Sequence, residues 1–384
     1  MSVRFPVHRE RLHPVRFIDY QLLRLVGCGY ADPEKLRSTL CRVRRFRELA
    51  ASLQRLAEES EVAGALREAT AYQRGAELFT DPTSPARRVA YDRYLSLFDR
   101  AFADEGWTRH GVPYRQSSLP SYRLPARNGP ARGVVLVHGG FDSLIEEFVG
   151  IWVRLAEAGF DVIAFEGPGQ GGARLVGGLR FEHGWEIPVG AVLDHFDVEE
   201  ADLVGLSMGG WWALRAAAFE PRIRRVVSWP PVYNWLGALP PFAARLVRWM
   251  VRYRRVMNPL IRLRMRLFPV LEHAVRHGMY IVDGVEPMDA VDWLLAMNAE
   301  HLHSERVVQD VLLMVGEDDR FQSPKLAALQ RAALSRARSI DQRTFTREES
   351  AADHCQMGNL ELACSVLVSW LLTDPGARSS GPAT

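Results

Sequence analysis

A serine between two glycines is the strongest chemical signal in this sequence. Residues 205–209 read G-L-S-M-G, follow a short apolar run and precede an alanine-rich stretch. A strand, a tight turn and a helix in this order project the serine hydroxyl outward from a strained turn. The two glycines are small because the strand and helix backbones pass close together there. Ser207 is therefore the predicted nucleophile.

A serine hydroxyl needs a general base, and the base needs an orienting carboxylate. A buried-strand pattern ends in the letters G-E-D-D, where the G-x-x-D spacing favours Asp319 and leaves Asp318 as the alternative. Of the eleven histidines, His354 alone lies in a loop between this acid and a helix predicted over 360–372. The chain order Ser207, Asp319, His354 thus predicts a nucleophile, an orienting acid and a base.

A second loop suggests donors for a negatively charged oxygen. The strand pattern over 133–137 continues as H-G-G-F-D-S. Backbone N–H groups that already point at a developing oxyanion stabilise it, so we expect one donor at Met208 and the other at Gly140, with Phe141 as the next candidate. Phe141 is also expected to contact the substrate. His138 is expected to support the loop.

Residues 166–172, E-G-P-G-Q-G-G, superficially suggest a nucleotide site. The segment contains no lysine and matches neither G-x-G-x-x-G nor G-x-x-x-x-G-K. A tight strand-to-loop turn beside the active site explains it more simply, and we expect no cofactor. Glu166 could position the substrate, as could Glu146 or Glu147, although a structural role for these carboxylates fits the sequence equally well.

Four segments together resemble one branch of the α/β-hydrolase superfamily, namely residues 138–143 (H-G-G-F-D-S), 166–171 (E-G-P-G-Q-G), 205–210 (G-L-S-M-G-G) and 353–356 (D-H-C-Q). The branch includes the 2,6-dihydroxypseudooxynicotine hydrolases, the FrsA-like esterases and the fungal pigment polyketide-shortening hydrolases. The resemblance covers roughly residues 123–372. It implies a triad of Ser207, Asp319 and His354. Several members cleave carbon–carbon bonds flanked by carbonyls, and others cleave esters.

Short apolar strands that alternate with helices predict an α/β fold with a doubly wound, mostly parallel sheet. Combined with the resemblance, this pattern implies an α/β-hydrolase fold with an N-terminal helical domain and a helical cap insertion. Spacings of three and four predict a helix over 36–61, and the first strand is expected over 112–116. The expected division is 1–111 for the N-terminal helical domain, 112–229 and 309–376 for the hydrolase core, 230–308 for the cap, and 377–384 for a disordered tail.

The predicted cap is rich in aromatic residues and methionine, and some of these side chains, Trp235 among them, should line an apolar pocket. Residues 221–271 contain eleven arginines and no aspartate or glutamate. This run is either a solvated basic surface or a docking face for an anionic substrate, an acyl carrier protein or a coenzyme A thioester. Binding to a membrane surface is less favoured, because Pro259 interrupts the run.

Composition narrows the class of protein. The chain has 384 residues, 47% of them hydrophobic and 24% charged, with a net charge of +2, which gives no reason to expect a nucleic-acid partner. The four cysteines show no disulfide spacing, and no membrane span or signal peptide is expected. We therefore expect a cytoplasmic protein, with a homodimer contact through the N-terminal helices as one option. His301 and His303 lie too far apart round a helix to share a metal ion, so no metal is expected.

These observations predict a cofactor-independent serine hydrolase for a small carbonyl substrate with an apolar or aromatic body. The bond cleaved is either a carbon–carbon bond of a β-dicarbonyl, in a retro-Claisen reaction, or an ester or thioester, within polyketide or aromatic-compound metabolism. A cyclase or acyltransferase would use the same acyl-enzyme. A non-catalytic binding module is the last alternative.

Overall fold

A bundle of helices precedes the first strand. The structure is a computed structural model that describes residues 4–373, so the tail predicted over 377–384 lies outside the described residues. The bundle consists of α1 (Arg16–Gly27), α2 (Pro33–Leu40), α3 (Phe46–Val62), α4 (Leu66–Phe79) and α5 (Pro85–Ala101). Their apolar faces meet in a core that includes Leu22, Leu53 and Phe79.

The helix predicted over 36–61 is wrong in one respect, because the structure has two helices there. α2 ends at Leu40, and α3 begins at Phe46. In the turn between them, the ring of buried His13 lies 2.8 Å from the carbonyl oxygen of Val43. This contact gives the carbonyl a partner that a helix would otherwise supply. The apolar spacing continues through the turn because all the apolar positions face one core.

An eight-stranded sheet follows, with the order β1-β2-β4-β3-β5-β6-β7-β8. The strands are β1 (Thr108–Tyr114), β2 (Ser117–Leu124), β3 (Val134–His138), β4 (Asp161–Phe165), β5 (Ala201–Leu206), β6 (Ile223–Trp229), β7 (Asp310–Gly316) and β8 (Ser339–Phe345). β2 pairs antiparallel with β1 and β4, and the remaining neighbours pair in parallel. The predicted mostly parallel sheet is confirmed.

β1 begins at Thr108, four residues before the strand predicted over 112–116. Its first residues are polar or exposed, whereas Val112 and Tyr114 are buried. The early part of the strand is held by pairing with β2, in which Thr108 lies opposite Arg123. A pattern of apolar residues indicates only the inward-facing positions of a strand. The exposed first residues of β1 were therefore not predicted.

The helices after β3 cover the sheet and fill the connection between β6 and β7. They are α6 (Val149–Glu157), α7 (Gly171–Leu175), α8 (Glu186–His195), α9 (Gly209–Ala217), α10 (Pro241–Arg252), α11 (Arg254–Leu267), α12 (Pro269–Val282), α13 (Pro287–Ala296), α14 (Ala299–Leu302), α15 (Pro324–Ala333) and α16 (Leu360–Leu372). Trp152 of α6 and Leu367 of α16 belong to one core, and Val189 of α8 and Trp212 of α9 belong to another. α16 has the bounds predicted from the sequence.

Candidate active site

Ser207 lies in the tight turn between β5 and α9. Its φ of 58° is in the left-handed region, which costs a residue with a Cβ about 1–3 kcal/mol. A Cβ on Gly205 would lie 2.1 Å from the carbonyl oxygen of Gly209, so strand and helix do touch there. A Cβ on Gly209 would instead lie 2.5 Å from the carbonyl oxygen of Gly139. This second glycine therefore makes room for the loop after β3.

Ser207, His354 and Asp319 come together at the carboxyl ends of three parallel strands. Ser207 Oγ lies 2.8 Å from His354 Nε2, and His354 Nδ1 lies 2.7 Å from Asp319 Oδ2. The other carboxylate oxygen of Asp319 accepts the N–H groups of Phe321 and Gln322, at 2.9 and 2.8 Å. Two hydrogen bonds thus connect a hydroxyl, an imidazole and a fixed carboxylate.

Asp318, the alternative acid, lies elsewhere. Its carboxylate forms an ion pair with the exposed Arg347, whereas Asp319 is only 4% exposed. Of the two neighbouring aspartates, Asp319 is therefore the one that contacts His354.

The charge of Asp319 controls the proton affinity of His354. Burial alone would lower the pKa of the imidazole, but the adjacent carboxylate outweighs burial, and the pKa of His354 is raised well above its ordinary value. Only the neutral ring can accept a proton from a hydroxyl. The basic form therefore becomes more abundant as the pH rises.

The loop after β3 packs directly on the turn that carries Ser207. A Cβ on Gly140 would lie 2.7 Å from the Cβ of Ser207 and 2.9 Å from the nitrogen of Met208, so only glycine fits. However, the N–H of Gly140 already donates to Ser143 Oγ at 2.9 Å. The Gly140 N–H is therefore occupied in this structure, and its role as an oxyanion donor stays a prediction. The backbone N–H of Phe141 donates to no acceptor within residues 4–373. It is therefore available to a substrate oxygen.

Gln322 is a neighbour of the nucleophile that the sequence did not indicate. Its side chain is buried, and we assign the positions of its amide oxygen and nitrogen from their hydrogen-bond partners. In that orientation the oxygen accepts from the Met208 N–H at 3.1 Å, and the nitrogen donates to the carbonyl oxygens of Ser207 at 3.3 Å and Pro230 at 3.0 Å. One predicted oxyanion donor is thus covered by an amide in the structure.

A cavity of about 380 Å³ opens in front of Ser207. Its aromatic walls are Phe17, Tyr20, Phe141, Phe148, Trp235 and Phe321. The structure therefore brings Phe141 and Trp235 to the cavity, as expected of substrate-contacting residues. The cap methionines do not line it: Met257, Met288 and Met297 are buried in packing instead.

Glu166 does not reach the cavity. Its carboxylate is fully buried and accepts the N–H groups of Ile145 at 3.2 Å and Gly172 at 2.5 Å. Burial, reinforced by the nearby Glu146, raises the pKa of Glu166 well above its ordinary value. The prediction of a substrate contact is corrected: this side chain holds two loops together.

Helix α1 forms one wall of the cavity, although its sequence carries no motif. The Tyr20 hydroxyl donates to the carbonyl oxygen of His354 at 3.4 Å, and the two rings lie 5.7 Å apart. Gln21 and Arg24 follow on the same face and also line the cavity. Polar residues on the otherwise apolar, buried face of α1 were the sequence signal that could have indicated this role.

Arg24 belongs to a network of buried charges between the helical bundle and the loop after β3. Its guanidinium pairs with Asp142 at 2.8 Å and with Glu147 through two nitrogens. Arg74 of α4 also contacts Glu147, at 3.3 Å. The wall that faces Ser207 is thus tied to α1 and α4 by charge.

Two cap histidines complete the cavity wall. Burial lowers the pKa of His273 to about 4 and the pKa of His277 to about 3. The His277 ring lies 3.2 Å, through Nε2, from the carbonyl oxygen of Phe141. Both rings are therefore neutral near pH 7, and they present a polar but uncharged surface to the cavity.

Within residues 4–373, no group of three or more histidine, cysteine, aspartate or glutamate side chains is arranged to hold a metal ion. In the same part of the chain, no helix has the length and apolar character needed to cross a membrane.

Curated relatives of the chain are fungal proteins named as hydrolases. The hydrolase acrC of Aspergillus aculeatus is 34% identical over 202 residues, which are 44% of this chain and 47% of the relative. The 20-hydroxy-prefusarin hydrolase FUS2 of Gibberella moniliformis is 31% identical over 256 residues, 55% of this chain and 60% of the relative. The chain thus spans about half of the length of such relatives.

Two solved structures superpose on nearly the whole chain. AbyA5 superposes with a TM-score of 0.70 at 22% identity, covering 96% of this chain and 97% of that one. The 2,6-dihydroxy-pseudo-oxynicotine hydrolase gives a TM-score of 0.62 at 18% identity, covering 91% and 94%. These likenesses show the fold. The family model described as "Alpha/beta hydrolase family" matches residues 134–361, and the chain therefore belongs to the alpha/beta hydrolase family.

Proposed function

We propose that Ser207, His354 and Asp319 form a catalytic triad that cleaves a carbonyl substrate with an apolar or aromatic body. One observation carries the proposal: the two hydrogen bonds of 2.8 and 2.7 Å connect the three side chains beside a cavity that can hold a substrate. The strained backbone of Ser207 supports it, since strain of this kind clusters at functional sites.

In the proposed reaction, Ser207 Oγ attacks the substrate carbonyl while His354 Nε2 takes its proton. The protonated imidazole then gives that proton to the leaving group, and Asp319 stabilises the imidazolium. Water, activated by His354, releases the acid from the acyl-enzyme. With an oxygen or sulfur leaving group this is ester or thioester hydrolysis. With a carbon leaving group, an enolate departs, because a second carbonyl of the substrate delocalises its charge. The enolate then takes the proton from His354.

The tetrahedral intermediate needs N–H donors at its oxygen. We assign this role to Met208 and, in place of Gly140, to Phe141. Because the Gln322 oxygen accepts from the Met208 N–H at 3.1 Å, the substrate must displace this amide before the donor is available. Binding of the correct substrate and completion of the oxyanion hole are then one event.

The cavity favours a flat, apolar substrate. Its volume of about 380 Å³ lies in the range of small-molecule sites, and aromatic walls suit rings and conjugated chains. The name of the relative FUS2 refers to 20-hydroxy-prefusarin. We therefore place the substrate among polyketide-like or aromatic carbonyl compounds.

Product mass analysis in oxygen-18 water tests this function. The substrates are an aryl β-diketone and an aryl thioester of matched size, and the proteins are wild type, Ser207→Ala and Ser365→Ala. Ser365 lies on the exposed face of α16, so its variant controls for the loss of a serine. We expect cleavage by wild type and Ser365→Ala, with label in the new carboxylate, and a loss of roughly 10⁴-fold or more in Ser207→Ala.

The labelled products distinguish the possible reactions. Labelled acid from the diketone indicates carbon–carbon cleavage, and turnover of the thioester alone indicates a thioesterase. A product without label indicates capture of the acyl group by an internal nucleophile. Activity that survives in Ser207→Ala would refute the triad.

A further inference from the structure

α10 and α11 expose an apolar stripe that no other part of the described chain covers. Its side chains follow one another at alternating spacings of four and three residues, and each is between 45% and 76% exposed. The stripe consists of Phe242, Leu246, Trp249, Tyr253, Val256, Leu260, Leu263 and Leu267. Tyr253 lies in the one-residue break between the two helices. Large apolar side chains exposed together on neighbouring helix faces mark an interaction site.

Arginines flank the stripe. Helical geometry places Arg248 and Arg252 of α10 about 100° from the stripe, with Arg255 and Arg266 of α11 at a similar angle. Within residues 4–373 these four guanidinium groups form no ion pair, whereas Arg254 and Arg262 of α11 pair with Asp289 and Glu286. Residues 221–271 contain no acidic side chain that could neutralise them.

Pro259 does not interrupt this surface. It lies inside α11, which continues to Leu267, and Val256 and Leu260 on either side of it remain in the stripe. The sequence argument against a membrane surface is therefore removed, because the break that it expected is absent from the described helix.

The charge of the flanks decides between possible occupants. The spacing of the stripe resembles that of a pairing helix, but a second copy would bring another set of unpaired arginines against the first. A lipid surface that carries phosphate and other anionic groups supplies the opposite charge. Helices with an apolar face of leucine, phenylalanine and tryptophan and a flank of basic residues lie in the headgroup region of membranes, and tryptophan and tyrosine are enriched there.

We propose that the α10–α11 face docks on an anionic lipid surface, with the stripe at the boundary between headgroups and acyl chains and the arginines on lipid phosphates. The proposal goes beyond the catalytic function. α12 follows directly after α11 and carries His273 and His277 of the cavity wall. Docking would therefore hold the cap of the cavity next to a phase in which apolar substrates dissolve.

Co-sedimentation of the full chain with vesicles tests the proposal. One set of vesicles is phosphatidylcholine alone, and the other contains phosphatidylglycerol as well. The apolar variant is Trp249→Ser/Leu263→Ser, with Val62→Ser/Val89→Ser as a control at two exposed valines outside the stripe. The charge variant is Arg248→Gln/Arg255→Gln, with Arg42→Gln/Arg180→Gln as a control at two exposed arginines elsewhere.

We expect wild type and both controls to sediment with the anionic vesicles and to dissociate as the salt concentration rises. Loss of two arginines should weaken binding about thirtyfold, and the apolar variant should lose at least tenfold. The fold of each variant is checked by circular dichroism. Absence of wild-type sedimentation overturns the proposal, as does equal binding by variants and controls. A dimer in solution that Trp249→Ser/Leu263→Ser abolishes, or selective binding of an acidic carrier protein without vesicle binding, would also overturn it.

Discussion

With its amide oriented by its hydrogen-bond partners, the side-chain oxygen of Gln322 accepts from the N–H of Met208 at 3.1 Å, the donor that we propose for the substrate oxyanion. The backbone N–H of Gln322 donates to Asp319 Oδ1 at 2.8 Å. One residue thus contacts both the proposed oxyanion hole and the acid of the proposed triad.

Replacing Gln322 with glutamate should impair catalysis more than removing the side chain. A carboxylate of the same size would hold the Met208 N–H more strongly and repel the developing oxyanion. We expect Gln322→Glu to lower kcat/KM about 10²–10³-fold, and Gln322→Ala to change it by less than about tenfold. Steady-state kinetics with an activated ester measures both. Equal losses in the two variants would mean that the amide is required to support the Ser207 turn.

The pH profile should report the contact between Asp319 and His354. Asp319 raises the pKa of His354, so the acidic limb of kcat/KM marks protonation of this base. In Asp319→Asn the pKa of His354 should fall, moving that limb to lower pH, while the plateau drops about 10³–10⁴-fold. Asp318→Asn is the matched control, because Asp318 pairs with Arg347, and it should remain within about threefold of wild type. A limb that stays in place in Asp319→Asn contradicts the assignment.

The fold and the family were predictable because motifs and apolar runs follow one another in strand-and-helix order. The same order pointed to Ser207, Asp319 and His354, since residues after parallel strands meet at one edge of a sheet. The direction of the Gly140 N–H was not predictable. It depends on the hydrogen bond to Ser143 Oγ, and a side-chain rotamer inside a loop leaves no periodic pattern.

The contributions of α1 and of the loop after β7 were not predicted. Tyr20 and Arg24 reach the cavity only because the helical bundle packs on the core through long-range contacts, such as the one between Arg24 and Asp142. Gln322 gives no signal beyond its position after Asp319. The predicted substrate contact of Glu166 is absent for the opposite reason. Glu166 follows a strand, as a site residue would, but its carboxylate accepts hydrogen bonds from two backbone N–H groups.

Removal of Arg24 should destabilise the fold strongly. Burial would raise the pKa of Asp142, but Arg24 and Arg74 lower it below its usual range, so the carboxylate is charged in the native state. Arg24→Leu leaves that charge and Glu147 without their closest partner. We expect the free energy of unfolding in urea to fall by about 3–5 kcal/mol.

The matched control for Arg24→Leu is Arg88→Leu. Arg88 pairs with Asp92 on the exposed face of α5, where both side chains are about half exposed, and its loss should cost no more than about 1 kcal/mol. A loss below about 1 kcal/mol in Arg24→Leu would show that Arg74 alone is sufficient for the two carboxylates.

Buried histidines should make the protein less stable in mild acid. Burial lowers the pKa of His138 and His273 to about 4 and that of His277 to about 3, whereas in the unfolded chain the ordinary value is about 6.5. Below that value each of these histidines binds a proton in the unfolded state but stays neutral in the native state. The contribution of each histidine to stability should therefore fall as the pH drops from about 6.5 towards 4, by up to about 1.4 kcal/mol per pH unit.

His273→Phe isolates one of these groups. The His273 ring stacks on Phe46 with centroids 4.7 Å apart, and a phenyl ring preserves this packing without titrating. Urea unfolding between pH 4 and pH 6.5 should show a slope of stability against pH that is smaller in His273→Phe by the contribution of one histidine, up to about 1.4 kcal/mol per pH unit. His195→Phe, at an exposed histidine, should keep the wild-type slope. If His273→Phe kept it too, His273 would have to be protonated in the native state throughout this range, and the neutral cavity wall would be wrong.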